Sequence, residues 1–177
     1  MPIIGFPDDK YVCNFPGIVF LNVFLFFREI RSASAWLKND FILLGGGYNI
    51  ILSKEYYDVD FLIFNGNFDS IEVDDIGCLI IAEAGTTILE ISEIAQKYSL
   101  TGVEFYYDIP SSVGGAVVMN AGTKEGETKD ILEKVRYLDL TDMTVNEKSN
   151  ENLELEYRNS FFQKQYSFLI FLIHERF

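Results

Sequence analysis

The sequence predicts an α+β fold, and three observations carry that prediction. Short apolar runs recur between turn signals, one segment has clean helical spacing, and two glycine-rich loops interrupt the strand-like stretches. The 177 residues are 49% hydrophobic, enough for one domain with a sizeable core or for two small lobes. A chain this apolar offsets its ordering entropy, so disorder is excluded for most of it. Aromatic residues make up 15%, a set that suits strands and wide apolar pockets.

The elements follow in chain order. Residues 1 to about 40 are the least legible. Within them, Ile18 to Phe27 is strongly apolar, broken by Asn22, and too short to span a bilayer. Asp8 and Asp9 precede it and no small-residue cleavage site follows, so it reads as a buried strand or helix segment of a cytoplasmic protein. Ser32 to Lys38, with its alanines and Trp36, predicts a short helix. Phe41 to Leu44 predicts a buried strand that runs directly into Gly45-Gly46-Gly47. Asn49 to Leu52 resumes an apolar stretch, Phe61 to Phe64 predicts a strand, and Asn65-Gly66-Asn67 signals a turn. Ile71 to Val73 and Leu79 to Ala84 predict paired strands around a turn at Asp74-Asp75-Ile76-Gly77.

Gly85-Thr86-Thr87 then punctuates the chain. Thr87 is a good N-cap with Glu90 as its capping-box partner, and Ile88, Ile91, Ile94 and Ala95 follow at helical spacing. A helix is expected from about Ile88 to Tyr98. Leu100 to Phe105 leads into a second glycine-rich segment. Glu133 to Leu140 predicts a strand, Thr141 to Thr144 a turn, and Asn152 to Arg158 a strand or short extended piece.

Charge and residue counts exclude several function classes. The net charge is −13 and no Lys/Arg cluster occurs, which argues against a nucleic-acid partner. A polyanion can still be held by backbone N–H groups. Cys13 and Cys78 lie far apart and read as reduced, partly buried thiols. His174 is the only histidine, so a multi-histidine metal site is impossible within this chain, and no metal is expected.

The two glycine segments carry the chemistry. A triple glycine after a buried strand lets the backbone take positive φ and approach a ligand closely. Successive N–H groups then form a concave anion site that suits a pyrophosphate. Taken alone, the three glycines read more simply as a tight turn between two strands. No Gly-Lys-Ser/Thr follows, and the pattern is not G-x-G-x-x-G, so the common nucleotide loops are excluded. The second segment runs Ile109-Pro110-Ser111-Ser112-Val113-Gly114-Gly115-Ala116-Val117-Val118-Met119-Asn120-Ala121-Gly122. Its small, uncharged residues describe either a wall for a large planar ligand or a buried packing segment.

The order GGGYN, AEAGTT, TGVEFYYDIPSSVGGAVVMNAG and EYRNSF resembles the MurB family of UDP-N-acetylenolpyruvoylglucosamine reductases. The likeness covers residues 41 to about 165. It implies the FAD-binding fold of vanillyl-alcohol oxidase-like flavoproteins, two small α+β lobes with the flavin between them. Residues 1–165 are then the FAD-binding domain, with 1–40 divergent, and 166–177 a divergent or truncated end. The activity implied passes hydride from NADPH through FAD to an enolpyruvyl nucleotide sugar, giving UDP-N-acetylmuramate for peptidoglycan. The cofactor carries the redox chemistry and the protein positions it.

By the same resemblance, Gly45, Gly46, Gly47, Tyr48 and Asn49 hold the FAD pyrophosphate, with Gly85 and Thr86 near the cofactor. Ile109, Pro110, Ser111, Ser112, Val113, Gly114, Gly115 and Ala116 line the flavin, and Asn120 and Gly122 complete that wall. Arg158 matches the family's catalytic arginine, and Tyr157 joins it at the substrate. Three positions depart from the pattern: Tyr48 stands for a serine, and Asp108 and Ser111 for glycines. The family's C-terminal substrate domain, with its proton-donating serine, has no counterpart here and is expected to be supplied elsewhere. The alternative is a catalytically inactive FAD- or nucleotide-binding fragment.

Overall fold

The computed structural model describes residues 18–20, 41–53, 56–57, 60–63, 69–74, 78–142, 144–164 and 168–176. The expected helix at Ser32 to Lys38, the turn at Asn65-Gly66-Asn67, most of Ile18 to Phe27 and the turn centre at residues 75–77 lie outside them. So does Cys13.

Two sheets organise the described residues. β1 (Ile18–Phe20), β2 (Phe41–Leu44) and β3 (Asp60–Ile63) form a parallel sheet in the order β1-β3-β2. Leu44 and Phe61 are buried in it. The second sheet has the order β4-β5-β8-β6-β7, all antiparallel. Its strands are β4 (Ile71–Asp74), β5 (Leu79–Glu83), β6 (Leu132–Asp139), β7 (Thr144–Ser149) and β8 (Phe168–Arg176). The expected α+β class holds.

The helices form where the sequence caps them. In α1 (Ile88–Lys97) the capping box is complete: Thr87 N–H donates to Glu90 Oε2 at 2.9 Å, and Glu90 N–H to Thr87 Oγ1 at 3.2 Å. Ile88, Ile91 and Ala95 turn one face inward. The second glycine segment becomes α2 (Val113–Met119), capped by Ser112, and α3 (Thr128–Ile131) follows. The core gathers Ile80, Ala82 and Ala84 of the β5 region with Ile88 and Ile91 of α1 and Val113, Ala116 and Val117 of α2. Tyr106 closes it, fully buried, its hydroxyl donating to Thr128 Oγ1 at 2.9 Å.

Several elements differ from the sequence expectations. Asn152 to Arg158 does not form a strand. A 3-10 turn at Asn150–Asn152 gives way to a tight hairpin in which Glu156 and Asn159 exchange backbone hydrogen bonds at 3.1 Å. Arg158 sits in that hairpin at φ 55°. β7 extends beyond the predicted turn as a largely exposed strand. Residues 168–176, read as a divergent end, form the central strand of the five-stranded sheet, paired to β5 on one side and β6 on the other.

Candidate functional site

The turn from β5 into α1 and the approach to α2 are bound to each other along their backbones. Ile88 N–H donates to Ser111 O at 3.1 Å, Val113 N–H to Thr86 O at 2.8 Å, and Gly114 N–H to Ala84 O at 2.9 Å. Thr87 and Ser112 face each other as an antiparallel bridge. The Ala84-Gly85-Thr86 turn and the Ser111-to-Gly115 segment are therefore one rigid unit.

The first glycine loop packs onto that unit. A side chain begun at Gly45 would meet Ser112 Oγ at 2.5 Å, so the loop can lie this close only as glycine. Gly47 takes φ 74°, the left-handed region, with open space beside it. Gly46, Gly47, Tyr48 and Asn49 are exposed, and their backbone N–H groups donate to no other described residue. Free N–H groups and a left-handed residue are what an anion nest is built from.

The start of α2 is, by contrast, already engaged. Val113 and Gly114 donate to Thr86 and Ala84, and Gly115 N–H donates to Ser112 Oγ at 3.3 Å. Ser111 Oγ donates to Ser112 O at 3.0 Å. Gly114 is small for packing: a Cβ there would lie 3.0 Å from Ala84 Cβ and 3.1 Å from Ala84 O. The glycines of the two segments thus do different work. Gly46 and Gly47 leave donors unused among the described residues, and Gly114 lets α2 rest on Ala84.

One polar atom in this unit lacks a partner. Thr86 is fully buried, and among the described residues its Oγ1 has no hydrogen bond. An unsatisfied buried hydroxyl costs roughly 1–3 kcal/mol. Just before it, Glu83 accepts from Ser70 N–H at 3.0 Å. Burial pushes the Glu83 carboxyl above the usual range, the Ser70 bond works against that, and the Asp69 and Glu72 carboxylates add to it.

The far end of α2 carries the remaining expected residues. Asn120 closes the helix at φ 43° and is buried. Its Nδ2 donates to Glu127 Oε2 at 3.0 Å and to Glu156 O at 3.1 Å, and its Oδ1 accepts from Lys129 N–H at 3.0 Å. That amide is fully occupied inside the fold, so the structure gives Asn120 a structural role. Gly122 likewise serves a tight turn, since a side chain there would strike Gly126 O and Glu127. Ser160 Oγ donates to Val118 O at 2.7 Å, and Gln163 Nε2 contacts Val118 O at 2.9 Å and Arg158 O at 3.0 Å. These bonds fix the Tyr157-Arg158 hairpin to the C-terminal end of α2. Both side chains are exposed, with the Arg158 guanidinium 5.9 Å from the Tyr157 ring centroid. A seven-residue helix is about 10 Å long, so the hairpin is tied to α2 about that far from its Ser112 cap.

Sequence reasoning missed Ala84, whose carbonyl and methyl receive Gly114, and Gln163, which ties the hairpin down. Neither has a local signal, because both act across the chain. No group of three His, Cys, Asp or Glu side chains among the described residues is arranged to hold a metal ion. No helix among them is long and apolar enough to cross a membrane.

Comparison with known proteins bears on the family and the fold. The family profile described as "FAD binding domain" matches residues 28–146. The UDP-N-acetylenolpyruvoylglucosamine reductase of Francisella tularensis subsp. tularensis is 37% identical over 126 residues, covering 71% of this chain and 44% of its own. Its counterpart in Staphylococcus aureus strain Newman is 42% identical over 129 residues, covering 70% of this chain and 39% of its own. The crystal structure of the Thermus caldophilus reductase superposes with a TM-score of 0.73 at 26% identity, over 90% of this chain and 54% of that one. The chain spans about two-fifths of the curated relatives' length.

Proposed function

Because the chain belongs to the FAD-binding domain family, we propose that it is the flavin-binding part of a UDP-N-acetylenolpyruvoylglucosamine reductase acting in peptidoglycan precursor synthesis. The observation that carries this reading is the meeting of the two glycine segments, with Gly45 seated on Ser112 and the N–H groups of residues 46–49 left free. Those N–H groups hold the FAD pyrophosphate without any positive side chain. Ile109, Pro110, Ser111, Gly114 and Gly115, with Gly85, form the wall beside the isoalloxazine, backed by the buried Thr86, Ser112, Val113 and Ala116. The flavin-binding unit includes β8, since that strand holds the two halves of its sheet together. Bound FAD supplies the redox chemistry, with NADPH as hydride donor.

Arg158 serves the substrate. Hydride addition to an enol ether beside a carboxylate builds enolate-like charge, and a fixed guanidinium stabilises it. Its hairpin is tied at Ser160 and Gln163, which fixes the backbone that carries the guanidinium. Tyr157 contributes an exposed ring to the same nucleotide-sugar site. Such a substrate places the protein in the cytoplasm. The proton donor is supplied by a substrate domain outside these residues.

Titration with FAD, followed by flavin fluorescence, tests the binding. The expected result is weak, saturable binding by the purified chain, and no binding would refute the reading. A second reading, a binding module without turnover, is favoured by Tyr48 and Asp108 at positions where the family has small residues. NADPH oxidation that depends on the enolpyruvyl nucleotide sugar separates the two. We expect none from this chain alone.

A further inference from the structure

The three glycines of the first loop meet different surroundings. Gly45 lies against Ser112, and Gly47 faces open space. A side chain begun at Gly46 would run into Cε2, Cδ2 and Cζ of Tyr48. The Tyr48 ring is therefore folded back over the Gly46 backbone, onto the loop that bears it. It is 61% exposed, and among the described residues its hydroxyl makes no hydrogen bond. Among the described residues, its contact is with Gly46 of the same loop.

We propose that Tyr48 gates the glycine cradle. This rests on the reading of residues 45–49 as the pyrophosphate site. The ring closes the Gly46 side of the nest when folded in and opens it when swung into solvent. A nest works only if its N–H groups can be reached, and a ring lying on the middle glycine restricts that reach. A serine at this position ends at its Oγ and could not cover the neighbouring backbone. A ring left mostly in solvent gains little from closing, so the closed form is only modestly preferred. A closed-to-open ratio of about 5 leaves about one molecule in six open and lowers apparent affinity about 6-fold, because binding is scaled by the competent fraction.

The test is calorimetric titration of the full chain with FAD and, separately, with inorganic pyrophosphate. Wild type, Tyr48→Ser and Tyr48→Phe are compared, with circular dichroism melts to show that each is folded. Tyr48→Ser should bind both ligands about 6-fold tighter, and Tyr48→Phe should match wild type, since the ring and not the hydroxyl closes the site. Equal or weaker FAD binding by Tyr48→Ser overturns the gate and leaves the flavin reading standing. Tighter pyrophosphate binding by Tyr48→Ser with no FAD binding by any variant keeps the gate and removes the flavin reading. Binding of neither ligand by any variant overturns both.

Discussion

Asn120 holds φ 43°, a left-handed backbone that costs an ordinary L-residue roughly 1–2 kcal/mol. Its amide repays this by joining α2, the Glu127 turn and the Glu156 hairpin. Asn120→Gly keeps the backbone and loses the bonds, for about 2–3 kcal/mol at about 1 kcal/mol each. Asn120→Ala adds the backbone strain and should lose about 1 kcal/mol more. Urea midpoints in the order wild type, Gly, Ala are expected, and equal midpoints would show that the amide is dispensable. Gly45 and Ser112 allow a sharper test. Gly45→Ala collides with Ser112 Oγ, but Ser112 Cβ lies 3.6 Å from the added methyl, an ordinary contact. Ser112→Ala alone loses the α2 N-cap, about 1 kcal/mol. The double variant should be more stable than the sum of the singles predicts, and strict additivity would contradict the contact.

Glu83 adds a pH dependence at the same scale. Its folded carboxyl is harder to ionise than its unfolded one, so the folded state keeps its proton to higher pH. Stability from this group is therefore full at pH below the unfolded carboxyl value and declines as pH rises through the raised folded one. Glu83→Gln removes the penalty and can still accept from Ser70 N–H. The melting temperature of Glu83→Gln should exceed wild type at pH 7 and match it at pH near 4, close to the ordinary Glu value. A gain that is the same at both values would locate the effect elsewhere.

At the scale of elements, α2 has the least local support. Two glycines in seven residues cost about 2 kcal/mol relative to alanine. Its stability comes from the Ser112 cap, the carbonyls of Ala84 and Thr86, and the Asn120 close. Gly114→Ala gains about 1 kcal/mol in helix propensity. It also drives a methyl to 3.0 Å from Ala84 Cβ, and overpacking of that kind costs about 1–3 kcal/mol. A net loss in chemical denaturation is expected, and a net gain would show that α2 has room to shift. The same competition sets what the sequence makes legible. α1 could be read because Thr87, Glu90 and the isoleucine spacing act within one turn or two. β4 and β5 could be read from their alternation around one turn. The segment Val113 to Met119 has no polar face and poor propensity, so its helicity depends on partners about thirty residues away in sequence. β8 is an apolar run whose place between β5 and β6 is set by long-range pairing alone. The Asn152 to Arg158 segment alternates like a strand, but Asn150 and the left-handed Glu154 and Arg158 turn it. Among the site residues, the glycines could be recognised as a set, while the division between donors left free and packing glycines needed the tertiary contacts.

For the whole molecule, net charge and site chemistry pull against each other. The chain carries −13, and FAD is itself an anion, so their long-range interaction is repulsive. A site that used lysines or arginines would overcome this locally and weaken with salt. Here the free donors of residues 46–49 are backbone N–H groups, whose attraction is short-ranged and acts after the ligand arrives. Salt therefore screens the repulsion more than the attraction, since the Debye length falls from about 30 Å at 0.01 M to about 10 Å at 0.1 M. The association rate for FAD should rise with ionic strength over that range, and the dissociation rate should change little. Stopped-flow flavin fluorescence at several sodium chloride concentrations measures both. An association rate that falls as salt is added would mean that a cationic side chain captures the cofactor, and the backbone nest would lose its role as the anion site.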